Sequence, residues 1–558
     1  MRKYSHIFIL ISIILACIIP YINSVNNPFI WDEEVMIVGN PIIKDWRHLP
    51  EAFKTNIFGG PINASGYYRP IYTLSFMLNY SVGKLNTMGY HIFNIILHIL
   101  NGILLYAVIL RLRLPEKTAW MASLLFVLFP INCHAVTLIG GRIEPILAAL
   151  WLLCFISFLN GIERSGTYFL GSVFLFISGL LTKESTLIWS FILFVYVLIF
   201  LEKDKRRKTI MPLAILISLS VVYFGLRFAF IRSSSHGTLS LINEASFLER
   251  LYTFPRILFT YIQVTIVPLV LKSEYNFVVH SFRDPYVWLG TASIALIFFL
   301  ALRFLKPARH ALFFLCWFLM GLAPYSNLIV PLHATLMEHW GYFSSMGIAA
   351  LISMAIFKIA DRISRWQRYV FAAIVAFLLI FYAGKIMERN KEWGDPFVLY
   401  GRDSKREPDS FLLHCNLGVE YFRRGMFEDA RREFTLSNQV CPGKGYDMAY
   451  NNLGVICARE GKFKEAIPFY KNSVQLNDCQ LAYQNLGALY NSLRMNKESL
   501  LLLEKGARLH PFNIEILYQL GIAYYENGQL ESARQAFLQV EKLQENYSET
   551  RRFLDLIR

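Results

Sequence analysis

Trp31-Asp32-Glu33-Glu34 follows closely on an apolar run at residues 6–23, and no basic residue comes between them and Lys44. An apolar run of that length is about what a helix needs to cross a bilayer. The three adjacent carboxylates therefore fall just outside a membrane, in a loop that runs to about residue 88. Two readings of the cluster are open. It is a hydrated acidic loop, or it is a carboxylate group at the mouth of an intramembrane site, acting as general base, cation ligand or both.

The composition around this stretch excludes an ordinary soluble domain. The chain has 558 residues, is 55% hydrophobic and 15% aromatic, and has a mean hydropathy of +0.40. These values belong to polytopic membrane proteins. Nearly all long apolar runs lie in residues 1–386, whereas 387–558 are polar and periodic. The expected organisation is all-α: a multi-pass membrane domain over 1–386, a linker over 387–411 and a repeat domain over 412–558. The net charge of +15 sits largely in short loops between apolar runs, where membrane topology explains it and nucleic acid is not needed. The eight cysteines form no CxxC pair and no His/Cys metal spacing, so nothing points to zinc. A disulfide among Cys415, Cys441, Cys457 and Cys479 stays open.

Candidate spans are 6–24, 89–110, 118–139, 143–160, 168–182, 185–201, 210–231, 251–271, 286–304, 311–329, 340–358 and 368–386. Basic loops orient them. Arg2-Lys3, Arg111 to Lys117 and the run Lys203 to Lys208 face the cytoplasm, as do Arg303, Lys306 and Arg309. The charge pattern is cleanest if 251–271 does not cross, which leaves eleven spans. The 25–88 loop and the repeats then share the extracytoplasmic face.

Polar residues at membrane depth are costly and mark function or interhelical hydrogen bonds. His91, Asn94, His98 and Asn101 are spaced by three, four and three, which puts them on one helical face. Other charged groups fall at the same outer level. Arg69 follows two tyrosines, Arg142 and Glu144 stand at a helix boundary, and Lys183 and Glu184 form a pair. Lys272, Glu274 and Tyr275 follow the 251–271 segment, and Glu338 precedes Trp340 and Tyr342. Acids here can orient or deprotonate an acceptor. Arg69, Arg142 and Lys183 can hold a phosphate, the arginines bidentately. An anionic lipid-linked substrate suits such a site, with its tail in the bilayer.

Residues 412–545 carry a repeat. Asn416-Leu417-Gly418, Asn452-Leu453-Gly454, Asn485-Leu486-Gly487 and Gln519-Leu520-Gly521 recur at steps of 36, 33 and 34. Ala430, Ala466, Ser499 and Ala533 recur at the same steps. This is the tetratricopeptide pattern of about four stacked helix pairs, which bind proteins or peptides in a concave groove.

These features together resemble the transmembrane and tetratricopeptide-repeat-containing (TMTC-type) protein O-mannosyltransferases and their bacterial relatives, in the GT-C superfamily. Asp32-Glu33 resembles the family's paired acids and Tyr68-Arg69-Pro70 its Tyr-Arg-Pro. Gly89-Tyr90-His91-Ile92-Phe93-Asn94 with His98 matches its next helix. Gly141-Arg142-Ile143-Glu144, Lys183-Glu184, Ser326-Asn327-Leu328 and Glu338 to Gly347 match later motifs in order. Glu33 and Glu144 replace Asp, His339 stands where Arg is frequent, and Ser344 where Pro is. The resemblance implies a sugar, mannose or another hexose, taken from a polyprenyl-phosphate carrier. An outer-face acid serves as base and the repeats recruit a protein Ser/Thr acceptor. On this reading Asp32 and Glu33 are catalytic, with Asp32 kept ionised by nearby cations and Glu34 outside the pair. Arg69, His91, Arg142, Glu144, Lys183, Glu184, Tyr275, Glu338 and Tyr342 line the substrate site. No cofactor motif is present, although the acids allow a divalent cation. The setting is a bacterial inner membrane, or the endoplasmic reticulum in a eukaryote, where the sequons at Asn63, Asn79 and Asn546 would matter. The competing classes are a membrane scaffold assembling partners through its repeats and a lipid-linked-sugar flippase or polymerase. A scaffold has no use for clustered outer-face acids and bases.

The topology is directly testable by labelling tags at Ser65 and Arg558. Both should react from outside in intact cells; a tag at Arg558 reached only after permeabilisation would reverse the span count.

Overall fold

The computed structural model describes residues 2–59, 67–230, 240–305 and 308–557. The sequon at Asn63 and the basic Lys306 lie outside the described residues. The chain forms two compact units. One comprises Met1–Ile30, Leu85–Arg227 and Ser240–Asp395, and the other Trp31–Lys84, Phe228–Leu239 and Pro396–Arg558. The described secondary structure is helical, without strands.

The first unit holds seven helices long and apolar enough to cross a membrane: His6–Ser24, Thr87–Arg111, Ile139–Glu163, Lys203–Arg227, Pro285–Arg303, Glu338–Ala360 and Arg365–Gly394. An eighth arises if Glu116–Leu128 and Pro130–Thr137, bent by 51° at their junction, count as one. Pro130 causes that break, because it has no N–H to continue the helix. Asn132 compensates by donating its side-chain amide to the Phe126 carbonyl at 2.7 Å. Tyr168–Leu180 and Glu184–Phe200 are apolar but short. Phe247–Ile266 carries Glu249, Arg250 and Arg256 and falls outside the crossing set. The 311–329 candidate is shorter than expected, since its helix Ala308–Leu322 stops before Pro324. The 387–411 stretch is helical over most of its length. The Arg365–Gly394 helix runs on through it, and a new helix forms at Pro396–Arg406.

In the second unit, four helix pairs form the repeats. They are Phe411–Arg423 with Phe427–Val440, Asp447–Arg459 with Phe463–Asn477, Gln480–Ser492 with Asn496–Leu509, and Ile514–Glu526 with Leu530–Leu543. The repeated sequence has a packing cause. A Cβ on Gly418, Gly454, Gly487 or Gly521 would lie 2.6, 2.7, 2.4 or 2.5 Å from Phe434, Tyr470, Leu503 or Phe537. Each glycine is thus the socket for one large side chain of its partner helix, four residues after the fully buried Ala430, Ala466, Ser499 or Ala533. The turn inside each pair needs a left-handed residue, and Gly425, Gly461 and Gly528 supply it at φ +77°, +75° and +75°. Arg494 takes the same position at φ +55° in the third pair. All eight cysteines are free, so the disulfide left open for the repeats is not formed.

Gly454→Ala should destabilise the repeats by about 1–3 kcal/mol through overpacking against Tyr470. Gly401→Ala, with no heavy atom nearer than 4.0 Å to the added carbon, should be neutral or slightly stabilising. Thermal melts of the two variants check this contrast.

Candidate functional site

In the first unit the polar face of Thr87–Arg111 is used to hold neighbouring backbone. The His91 Nε2 donates to the Asn27 carbonyl at 3.1 Å, and Asn94 donates to the Val136 and Leu138 carbonyls at 3.1 Å each. Since His98 Nε2 faces the Val127 carbonyl at 3.2 Å, that nitrogen carries the proton, and Nδ1 accepts from the Tyr342 hydroxyl at 2.7 Å. The same hydroxyl accepts from Asn101, which also donates to the Pro145 carbonyl. Tyr342 is therefore wholly buried with its hydroxyl both donating and accepting.

These bonds fix the turn that presents the charged residues. Ile139–Arg142 is a 3-10 turn leading into the helix Ile143–Glu163. A Cβ on Gly141 would sit 2.6 Å from the His134 carbonyl oxygen, so only glycine permits this approach to Cys133–Thr137. Arg142 is fully buried, donates to the Tyr90 carbonyl at 3.1 Å and lies 4.9 Å from the Phe93 ring centroid. Glu144 is ion-paired with Lys183, both buried, and the Lys183 ammonium also faces the Tyr325 ring at 4.7 Å. Glu184 is partly exposed, 3.8 Å from Arg227. Glu338 is buried and accepts from the Lys272 backbone N–H at 2.6 Å and the Tyr275 hydroxyl at 2.9 Å. A backbone bridge between Tyr275 and Leu336 holds that pairing in register.

The sequence reading missed the end of Arg365–Gly394. Arg389 and Glu392 form a buried ion pair there, and Arg389 lies against the Trp393 ring. Asn390 donates to the Pro20 carbonyl and accepts from Thr137, each at under 3 Å. Cys133 lies in the field of Arg389, Glu338 and Glu392, and Tyr261 in that of Glu144 and Glu338. Glu338 is thus common to the surroundings of both side chains, with Arg389 and Glu392 about Cys133 and Glu144 about Tyr261. The signal was present: Arg389 and Glu392 are three apart just past an apolar run.

The second unit holds the other predicted groups. Arg69 is half-buried, with its guanidinium 4.9 Å from the Tyr67 ring centroid. Trp31 has φ +56°, and its indole stacks on Tyr400 with centroids 6.3 Å apart and planes 14° apart. Glu34–Val38 forms a π-type turn. Glu33 is buried, whereas Asp32 and Glu34 are exposed. Glu34 is ion-paired with Arg423 in the first repeat. Although the Asp32 side chain keeps open surface, displacement of water by the protein raises its carboxyl above the ordinary range. Among the described residues no group of three or more His, Cys, Asp or Glu is placed to hold a metal ion.

Tetratricopeptide-repeat family models match residues 449–478 and 502–535. Protein O-mannosyl-transferase TMTC3 of Mus musculus is 24% identical over 94% of the chain and 66% of its own length. A protein O-mannosyl-transferase of Caenorhabditis elegans is 25% identical over 76% of the chain and 61% of its length. The chain thus spans about three fifths to two thirds of the length of these two relatives. Among solved structures, MamA from Desulfovibrio magneticus matches 26% of the chain and 82% of its own, at 22% identity and TM-score 0.24. Over most of its length the chain is therefore a homologue of TMTC-type proteins named protein O-mannosyl-transferases, and it ends in tetratricopeptide repeats.

Proposed function

We propose that the protein is a membrane glycosyltransferase that moves a hexose, mannose by analogy with its relatives, from a polyprenyl-phosphate carrier to a protein hydroxyl outside the cytoplasm. The observation that carries this reading is the burial of six charged side chains, Arg142, Glu144, Lys183, Glu338, Arg389 and Glu392, in one unit of apolar helices. A scaffold has no need of such groups, and charges in an apolar bundle are retained where they serve a polar substrate. The names of the relatives supply the sugar and the protein acceptor.

On this reading Asp32 takes the proton of the acceptor hydroxyl. The acceptor oxygen bonds to the sugar's anomeric carbon as the bond from that carbon to the phosphate oxygen breaks, and the polyprenyl phosphate leaves with the electron pair. Arg142 and Arg69 hold the phosphate, while Lys183 and Glu144 support the site beside it. His91, Glu184, Tyr275, Glu338 and Tyr342 shape it. Glu33 orients the acceptor. The repeats bring the protein acceptor, and the donor's lipid tail stays in the bilayer.

Purified protein incubated with labelled polyprenyl-phosphate mannose and membrane acceptors tests the reading directly, and absence of transfer would defeat it. Asp32→Asn should lower the rate roughly 100- to 10,000-fold, with Glu33→Gln less affected. Should Glu33→Gln be dead and Asp32→Asn active, the base moves one residue along. Because the Asp32 carboxyl is raised and only its ionised form takes a proton, transfer should fall as pH drops through a value above the ordinary one of about 3.9. Asp32→Asn should lose that acid limb.

Arg142→Lys keeps the charge but loses the planar fork. It should impair transfer clearly in a protein that still folds; wild-type turnover would remove Arg142 from the phosphate site.

A further inference from the structure

The acidic stretch does not hold its own shape. Trp31 sits in the left-handed region, which costs a non-glycine residue about 1–2 kcal/mol. The chain then enters a π-type turn at Glu34–Val38, a conformation rare in proteins and frequent at functional sites. Two backbone bonds close this turn, from the Met36 N–H to the Asp32 carbonyl at 2.7 Å and from the Gly39 N–H to the Glu34 carbonyl at 2.8 Å. What over-determines the strained backbone comes from the far end of the sequence. Tyr400, buried in the helix Pro396–Arg406, receives the Trp31 indole. Arg423, in the last turn of the first repeat helix, bridges Glu34 with one nitrogen and Glu420 with another at 2.9 Å. Tyr446, at the turn into the second repeat, lies in the field of Asp32.

We infer that the start of the repeat array is part of the transfer site: Arg423, acting through Glu34, and Tyr400, acting through Trp31, are positioning residues that hold Asp32 and Glu33 in working geometry. The inference rests on the proposed glycosyl transfer. It assigns the repeats a second task besides binding the acceptor, because the same helices that begin the groove set the base. A base displaced by about 1 Å loses roughly 100-fold in rate, so a surface ion pair of little worth to stability matters here through geometry.

The test uses the full-length protein. Arg423→Gln, Glu34→Gln and the double variant are compared in the transfer assay, and amide hydrogen exchange is followed over residues 35–39. Arg431→Gln, which breaks a similar bridge to Glu460 that includes none of the acids, is the control. Expected are a fall of tenfold or more in kcat for Arg423→Gln with the KM for donor unchanged, and faster exchange over 35–39. Arg431→Gln should leave both as in wild type. The double variant should be no slower than the worse single one, since both remove one coupling. Tyr400→Phe keeps the stacking ring and should retain activity, whereas Tyr400→Ala should not. Unchanged kcat in Arg423→Gln overturns the inference whether or not exchange changes, and so do additive losses in the double variant. If the wild type transfers no sugar, the parent reading fails and the assignment of Arg423 to a transfer site fails with it.

Discussion

A charge among apolar helices must find its opposite or be expelled, and the first unit is arranged around that constraint. Removing an ion from water costs several kcal/mol even after relaxation, and only a close partner with further hydrogen bonds offsets it. Lys183 meets Glu144, Arg389 meets Glu392, and the Glu338 carboxylate is gripped by a tyrosine hydroxyl and a backbone amide. The pairs join elements far apart in sequence or close a helix end. The neutral polar face of Thr87–Arg111 serves the same end, tying carbonyls freed by irregular turns back into the bundle.

Much of the fold was legible because it rests on periodicity. The repeats were readable from glycine and alanine spacing, since one socket per helix pair demands the same small residue each time. The apolar runs announced the membrane unit in the same way. Helix ends were less legible: Pro130 and Pro324 break or shorten spans through local sterics that hydropathy does not register. The candidate site was legible in part. Arg142, Glu144, Lys183 and Glu338 stood out as charges beside apolar runs, and the structure gives each a buried place. Arg389 and Glu392 were hidden in a stretch that reads as linker, because a charged helix end and a charged linker have the same composition.

Partners distant in sequence were not legible at all. Nothing in Trp31-Asp32-Glu33-Glu34 names Tyr400 or Arg423, which lie hundreds of residues away. The rise of the Asp32 carboxyl was equally invisible, because displacement of water depends on what the fold gathers around the residue. Glu34 was discounted for its place in the row, whereas the fold pairs it with Arg423.

The side chains around Phe434, Tyr470, Leu503 and Phe537 form successive clusters that overlap only with their neighbours, through Phe469, Leu502, Ala507 and Tyr524. In such an array the stability of the whole is close to a sum over neighbours. Selection can therefore lengthen or shorten it in units of about 34 residues away from its start without disturbing the first pair. Since the acidic stretch leans on that beginning, the length of the array is free to diverge between lineages while the geometry at Asp32 is kept.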